Sequence, residues 1–266
     1  MDLYKNRIVV KVGTSTMTRE NGKNNLRAFD RLACILADVQ NLGYEIILVS
    51  SGAIVIGSNK LNMNVHPQSM RMKQAAAAVG QCSIMCLYSK FFSEYDKTAA
   101  QIFLNADDIE SEEKKENLTN TFDALLEMGI IPVVNENDSV SYTEIESEDR
   151  LFGDNDMLSA VVAVLCRAQK LIILSDIDGF YDGDPRLSEN AKLIECVEKI
   201  DDKILSFAGG SGSRRGTGGM FTKLKAAKLA TAQGIDTVVT NGKNPSAIYD
   251  IVSGKPVGTL FRGARI

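Results

Sequence analysis

The run Ile8-Val9-Val10-Lys11-Val12, closed at once by Gly13-Thr14-Ser15, decides how the fold is read. Its apolar residues are β-branched and consecutive rather than alternating, the pattern of a strand covered on both faces. Lys11 stands out within it, because an ammonium group in an apolar strand is costly unless it is paired or snorkels to water from an edge. Similar runs recur at residues 46–49, 100–104, 131–134, 171–174 and 237–240. Between them lie helical patterns at 26–41, 68–95, 112–128, 156–167 and 222–233, the last stopped by Gly234. This alternation predicts an α/β fold, a three-layer α/β/α sandwich around a mostly parallel central sheet.

At 266 residues the chain has room for one large α/β domain or two small ones, and for burying roughly 70 to 75% of its unfolded surface. No repeat, low-complexity linker or composition break divides it. Residues 1–266 are therefore expected to form a single domain, with two lobes meeting near residue 165. Apolar residues at 44% and charged residues at 24% are ordinary globular values and exclude disordered and fibrous classes. Thirty basic against 34 acidic residues give a formal charge of −4, without the basic excess of a nucleic-acid binder. Any phosphate chemistry must use local positive charge.

The first apolar run is too short for a signal peptide, and no stretch has the length of a membrane span. The cytoplasm is the expected location. Five cysteines (Cys34, Cys82, Cys86, Cys166, Cys196) form no CxxC pair, and His66 is the single histidine, so neither a zinc site nor a disulfide framework is expected. Cys82 and Cys86, four apart in an apolar helical stretch, are read as packing residues. His66, before Pro67 in a polar loop, is read as facing solvent.

No GxxxxGK[ST] and no GxGxxG occurs in the chain, which excludes a P-loop and a standard dinucleotide fold. Three other glycine turns remain. The first, Lys11-Val12-Gly13-Thr14-Ser15, ends a strand with a backbone that a ligand can approach and a lysine that supplies charge. The second, Ser50-Ser51-Gly52-Ala53, also follows a strand and leads into a helical segment whose free N–H groups and dipole favour an anion. By itself it is equally consistent with a turn shaped only by sterics. The third, Gly216-Thr217-Gly218-Gly219, precedes Met220-Phe221-Thr222-Lys223 and a helix. Its glycines allow a loop to fold around phosphates within reach of Lys223, with Arg214 and Arg215 just upstream, although a surface hairpin would share the composition.

An acidic and polar cluster lies between these turns: Asn135-Glu136-Asn137-Asp138 at a strand end and Gly153-Asp154-Asn155-Asp156 at a helix start. Ligands of open α/β sheets bind at such ends, although Asp154 or Asn155 would serve equally as an N-cap. Phosphoryl transfer needs positioning and charge neutralisation more than covalent help, and two lysines with Mg2+ would supply both. An alcohol acceptor calls for a general base, whereas a side-chain carboxylate, which titrates at about pH 4.3 in water, is already ionised at neutral pH. With no histidine suited to catalysis, an acid is the favoured acceptor.

The segments VVKVGTS (9–15), VSSGAI (49–54), VGQ (79–81), PVVNENDSV (132–140), GDNDMLSA (153–160), LSDIDGFYDGDPR (174–186) and GTGGMFTK (216–223) resemble those of the amino acid kinases across the whole chain. Within that family they are similar to the branch that phosphorylates glutamate. The resemblance implies the amino acid kinase fold and transfer of the ATP γ-phosphate to the side-chain carboxylate of L-glutamate with Mg2+, the first step of proline biosynthesis. It implies that Lys11 and Lys223 stabilise the transferring phosphoryl group and that Asp156 holds both lysines. Ser51, Gly52, Asn135, Asp138, Asp154 and Asn155 would line the glutamate site. Ser175, Asp176, Thr217, Gly218, Gly219, Met220 and the two lysines would hold ATP, and no residue set is implied as a metal site of the protein itself.

It further implies feedback inhibition by proline, a homo-oligomer (dimer or tetramer), a glutamyl phosphate reductase as partner, and no nucleic-acid or membrane partner. Two departures from the usual pattern stand out. The C-terminal PUA domain that many members carry is not expected here, and the 146–152 link, near a loop tied to proline feedback, is longer than expected. Two readings from other classes are a non-catalytic sensor, disfavoured by the intact Lys11, Asp156 and Lys223, and a nicotinamide-dependent dehydrogenase, disfavoured by the missing GxGxxG. Sibling kinases acting on acetylglutamate, aspartate or UMP share the fold but are expected to differ at NEND and GDND.

Overall fold

The computed structural model describes residues 6–19, 21–63, 67, 69–140, 154–185, 188, 190–207 and 219–265. Along the chain these form β1 (Arg7–Val12), α1 (Thr14–Met17), α2 (Leu26–Asn41), β2 (Glu45–Val49), α3 (Ala53–Lys60), α4 (Met70–Ser93), β3 (Ala99–Leu104), α5 (Ala106–Glu110) and α6 (Glu112–Glu127). They continue with β4 (Ile131–Glu136), α7 (Asn155–Leu165), β5 (Lys170–Ser175), β6 (Cys196–Val197), α8 (Asp202–Phe207), α9 (Met220–Ala232), β7 (Asp236–Asn241), α10 (Ala247–Val252) and β8 (Thr259–Phe261).

The eight strands make one sheet in the order β3-β4-β2-β1-β5-β7-β8-β6. Every neighbouring pair is parallel except β7 with β8. All six residues of the central strand β1 are buried. Val10 and Val12 pack with Phe29, Leu36, Tyr88 and Ile248 on the α2, α4 and α10 side. Val9 packs with Phe122, Leu158, Val162 and Leu224 on the α6, α7 and α9 side. Helices on both faces explain why the strands read as unbroken apolar runs.

The register lines up the strand ends that matter. Lys11 lies opposite Val49 of β2 and Ile173 of β5, Val49 lies opposite Val134 of β4, and Ser175 lies opposite Asn241 of β7. The loops that leave these strands therefore emerge side by side on one edge. At the opposite end of β1, the buried Arg7 guanidinium bonds Glu45, Asp123 and the Cys166 carbonyl, all at 2.7–2.8 Å. Burial opposes its charge, but the two carboxylates outweigh that and raise its pKa. This network ties β1, β2, α6 and the end of α7 together below the sheet's functional edge.

Two close approaches fix the helices there. A Cβ at Gly57 of α3 would lie 1.8 Å from the Ala76 carbonyl, and one at Gly80 of α4 would lie 1.8 Å from the Ala53 carbonyl. The two helices cross backbone to backbone, which glycine alone permits. Gly52, the N-cap of α3, has φ +95°, the left-handed region in which glycine is unstrained.

The six expected strands and five expected helices are all present, with no end shifted by more than two residues. The short β6, β8, α1, α5, α8 and α10 are additions, none longer than six residues and so too brief to carry a visible period. One expectation is corrected: Cys82 and Cys86 do not pack in the core but are exposed. The buried stripe of α4 runs through Ala76, Ala77, Gly80, Gln81, Ser83, Ile84, Tyr88 and Phe92 and leaves both cysteines outside it. His66 lies outside the described residues. Among the described residues no helix is long and apolar enough to cross a membrane.

Candidate active site

β1 alternates its side chains across the sheet, so Lys11 points to the same face as Val9, toward α7 and α9. The N-terminus of α7 meets it there. Asp154 is the N-cap, and its carboxylate accepts the Asp156 backbone N–H. This cap places Asp156 in the first helical turn, where the dipole favours a negative charge. Lys223, one turn into α9, approaches from the other side.

The three side chains form a triad. Lys11 Nζ lies 2.5 Å from Asp156 Oδ1, and Lys223 Nζ lies 3.0 Å from Oδ2. Asp156 is fully buried, while Lys11 is 7% and Lys223 5% exposed. Burial pushes the Asp156 carboxyl pKa up, but the two ammonium groups prevail and hold it below the ordinary carboxylate range. Two positive charges around one negative leave a net positive charge in a nearly dry place. Such a pair of ammonium groups around one carboxylate has the chemistry to meet an anion.

Thr222 adds a link that its place in the chain did not reveal. Its hydroxyl sits 3.1 Å from Asp156 Oδ2 and 2.8 Å from the Gly219 carbonyl. The glycine turn before α9 is thereby tied to the carboxylate. Gly219 is the N-cap of α9 and offers no side-chain cap, so among the described residues no side chain caps the first N–H groups of that helix. Met220 is the first residue of α9, whereas Thr217, Gly218, Arg214 and Arg215 lie outside the described residues.

The other residues singled out in the sequence gather on the same edge. Asn155 donates to the Ser50 carbonyl at 3.0 Å and to Asn135 Oδ1 at 3.1 Å, which links α7 to the ends of β2 and β4. The Ser51 and Thr14 hydroxyls are 2.9 Å apart, which links the two strand-end turns, and Gly52 packs against Thr14. Asp138 stands just beyond β4, half-buried and engaged by neighbours. Asp154 Oδ2 is buried and unpartnered among the described residues. Ser175 ends β5, with its hydroxyl 3.1 Å from the exposed Asp176 carboxylate, and its carbonyl accepts the Gly242 N–H at 2.7 Å.

Tyr88 was not anticipated. Its phenol is buried beneath the Ser50 turn, 3.1 Å from Ser50 Oγ, and packs on Phe29 and Phe92 with centroids 4.9 and 6.1 Å away. Burial raises its pKa against the opposing pull of the Ser50 bond, which keeps the phenol protonated. The available signal was a tyrosine four residues after Ile84 and four before Phe92, a hydroxyl on an apolar stripe that must find a partner.

The profile of the amino acid kinase family matches residues 6–241. The chain belongs to the amino acid kinase family. This amino acid kinase is 54% identical over 255 residues to the glutamate 5-kinase of Clostridium perfringens, covering 96% of the chain and 94% of that relative. It is 49% identical to the glutamate 5-kinase of Enterococcus faecalis, with the same coverage. Among solved structures, it superimposes on a carbamate kinase from Giardia lamblia bound to AMP-PNP with a TM-score of 0.67, 14% identity, and 98% and 99% of the two chains covered. The isopentenyl phosphate kinase of T. acidophilum gives a TM-score of 0.63 at 17% identity, covering 96% and 100%. These two likenesses bear on the fold, which is the three-layer α/β/α arrangement with a mostly parallel sheet.

Proposed function

We propose that this amino acid kinase transfers the γ-phosphate of ATP to the side-chain carboxylate of L-glutamate, giving L-glutamyl 5-phosphate and ADP. The observation that carries the reading is the buried Lys11–Asp156–Lys223 triad, set where the strand-end turns meet. Identity of about half with named glutamate 5-kinases over nearly their whole length supports glutamate as the acceptor.

In this reading a glutamate carboxylate oxygen attacks the γ-phosphorus, the bond from that phosphorus to the bridging oxygen breaks, and ADP leaves. No proton has to be removed, because the acceptor is already ionised at neutral pH. Asp156 is unsuited to be a base: both its oxygens face ammonium groups and its pKa is depressed. Its task is to position Lys11 and Lys223, which neutralise the charge spread over the phosphoryl oxygens in flight. Ser51, Gly52, Asn135, Asp138, Asp154 and Asn155 hold glutamate, with Asp138 suited to the ammonium group and Asn155 and the Ser51 turn suited to a carboxylate. Ser175, Asp176 and residues 217–220 hold the nucleotide. The part of the chain before about residue 165 thus handles the acceptor and the part after it the nucleotide.

Mg2+ fits this donor set as a companion of the nucleotide. Among the described residues no three His, Cys, Asp or Glu side chains form a metal cluster, and Mg2+ commonly binds through substrate phosphates and one or two carboxylates. Asp154 Oδ2, unpartnered among the described residues, would offer a carboxylate oxygen to it or to its water. When bound, Mg2+ supplies further neutralisation of the phosphate oxygens.

An acyl phosphate product is labile and suits prompt reduction by a glutamyl phosphate reductase, in the cytoplasm where ATP and glutamate are supplied. Inhibition by proline and assembly into a homo-oligomer complete the reading. The test is incubation with ATP, Mg2+, glutamate and hydroxylamine, which should yield γ-glutamyl hydroxamate, with proline as a second variable. ADP release that ignores glutamate and answers to acetylglutamate, aspartate or UMP would overturn the choice of substrate.

A further inference from the structure

On the α2 side of the same sheet edge lies a second concavity of about 240 Å³. Its walls are Ser15 and Thr16 of α1, Arg27 and Arg31 of α2, and Gly242 and Lys243 just after β7. Leu174 contributes to its floor and belongs to the core on the α2 side, whereas Lys11 faces α7 and α9. The concavity thus opens on the opposite face of the same sheet edge, and its walls adjoin the catalytic side through Ser15, which shares the Gly13 turn with Lys11, and through Gly242, whose N–H the Ser175 carbonyl accepts.

Three cationic side chains converge on this space, and no carboxylate lines it. Among the described residues no acid forms a salt bridge with Arg27, Arg31 or Lys243. Asp30, the acid nearest in sequence, is turned away and accepts the Tyr95 hydroxyl at 2.8 Å. Arg31 is steered by neutral groups instead, donating to Asn244 Oδ1 at 3.4 Å and Ser246 Oγ at 3.3 Å. In a chain of net charge −4, three unneutralised cations around one cavity repel one another and gain most from a shared anion.

The backbone points the same way. The 16-residue α2 begins beside the cavity at Asn25, without a side-chain cap and without an acid in its first turn. Its positive end therefore adds to the field of the side chains. Hydroxyls from Ser15 and Thr16 supply neutral donors, and the apolar patch of Ala28, Leu32, Leu174 and Pro245 suits a short carbon chain. The volume lies below the range of about 300 to 1,000 Å³ usual for larger ligands.

We infer that this concavity, on the α2 face of the functional edge, is a second anion site beside the catalytic one, for a small phosphate monoester. Inorganic phosphate is the probe, titrated calorimetrically at constant low ionic strength. The wild-type chain binds it with a dissociation constant of about 1 mM or lower, and the affinity falls as NaCl is added. Binding persists in Lys223→Ala. It weakens by about tenfold or more in Arg27→Ala/Lys243→Ala, since each lost cation removes a charge-assisted bond.

Arg27 and Lys243 are exposed, so the double variant should melt, without phosphate, at or above the wild-type temperature. Charge reversal in Arg27→Glu/Lys243→Glu removes binding altogether. The inference is overturned if the wild type shows no saturable binding, if phosphate binds the Arg27 and Lys243 variants as tightly as the wild type, or if Lys223→Ala abolishes it. Because the readout is binding, its failure is distinct from any failure of the hydroxamate assay.

Discussion

Lys11 and Lys223 grip opposite oxygens of one carboxylate, at 2.5 Å and 3.0 Å from Asp156, though one comes from the first strand and the other from the ninth helix. Neither lysine has room to swing into solvent, so both ammonium groups are pre-organised before any nucleotide arrives. Lys11→Ala or Lys223→Ala should therefore lower kcat about 10²- to 10³-fold or more, the usual cost of removing a group that answers charge in the transition state. The glutamate KM should change little. Steady-state kinetics in the hydroxamate assay check this, and a normal kcat with a raised glutamate KM would reverse the assignment.

Asn155 acts on the other half of the site. Its single amide holds both the Ser50 carbonyl and Asn135 Oδ1, so it sets the spacing between the β2 and β4 turns. Asn155→Ala should raise the glutamate KM about tenfold, the worth of one to two hydrogen bonds, with kcat changed only a few-fold. Asp138→Ala should also act mainly on the glutamate KM, through the lost partner of the substrate ammonium. Saturation curves in glutamate at fixed ATP separate these effects from those of the lysines.

Much of this arrangement could be read from the chain because its signals are local. β1, β2, β4 and β5 contain runs of four to six buried residues, and an unbroken apolar run identifies such a strand without any tertiary knowledge. Lys11 drew attention for the same reason, as a charge where none belongs. Its partner could not be deduced by counting, since the Lys11–Asp156 contact depends on β1 facing α7 in one particular register. Cys82 and Cys86 show the complementary failure: a spacing of four puts two residues on one helix face but does not say which face is buried. Tyr88 showed only that a hydroxyl on an apolar stripe needs a partner, and the Gly57–Gly80 crossing was silent, because the partner in each case comes from another element.

That crossing makes a prediction about stability. α3 begins at the Ser51–Gly52 turn, and its path is set by direct backbone contact with α4. A methyl group at residue 57 would overlap the Ala76 carbonyl at 1.8 Å, a backbone atom that no side-chain rotation can move aside. Gly57→Ala should destabilise the chain by about 3 kcal/mol, the upper end of ordinary overpacking costs, and lower its Tm by several degrees. Gly129→Ala is the control. That residue, unlike Gly57, has a positive φ, +70°, yet nothing lies within 4 Å of a Cβ built there, so its cost is limited to backbone strain of about 1 to 2 kcal/mol. Thermal melts of the two variants should rank in that order.

The triad also sets a direction for acid unfolding. The Asp156 pKa in the folded chain lies below its ordinary value of 3.8, because two lysines outweigh the burial that opposes ionisation. A carboxyl depressed in this way favours folding fully above the unfolded value, and the contribution fades as pH drops through the folded value beneath it. Melting temperature should accordingly fall below about pH 4. Asp156→Asn keeps the shape but leaves two buried ammonium groups without their counter-charge, which should cost about 3 to 5 kcal/mol at neutral pH. In that variant the acid-dependent part belonging to residue 156 is gone, so its Tm should decline less steeply than the wild type's between pH 5 and pH 3. Equal slopes would mean that the acid sensitivity arises from other carboxylates and that Asp156 is not the group whose protonation loosens the clamp.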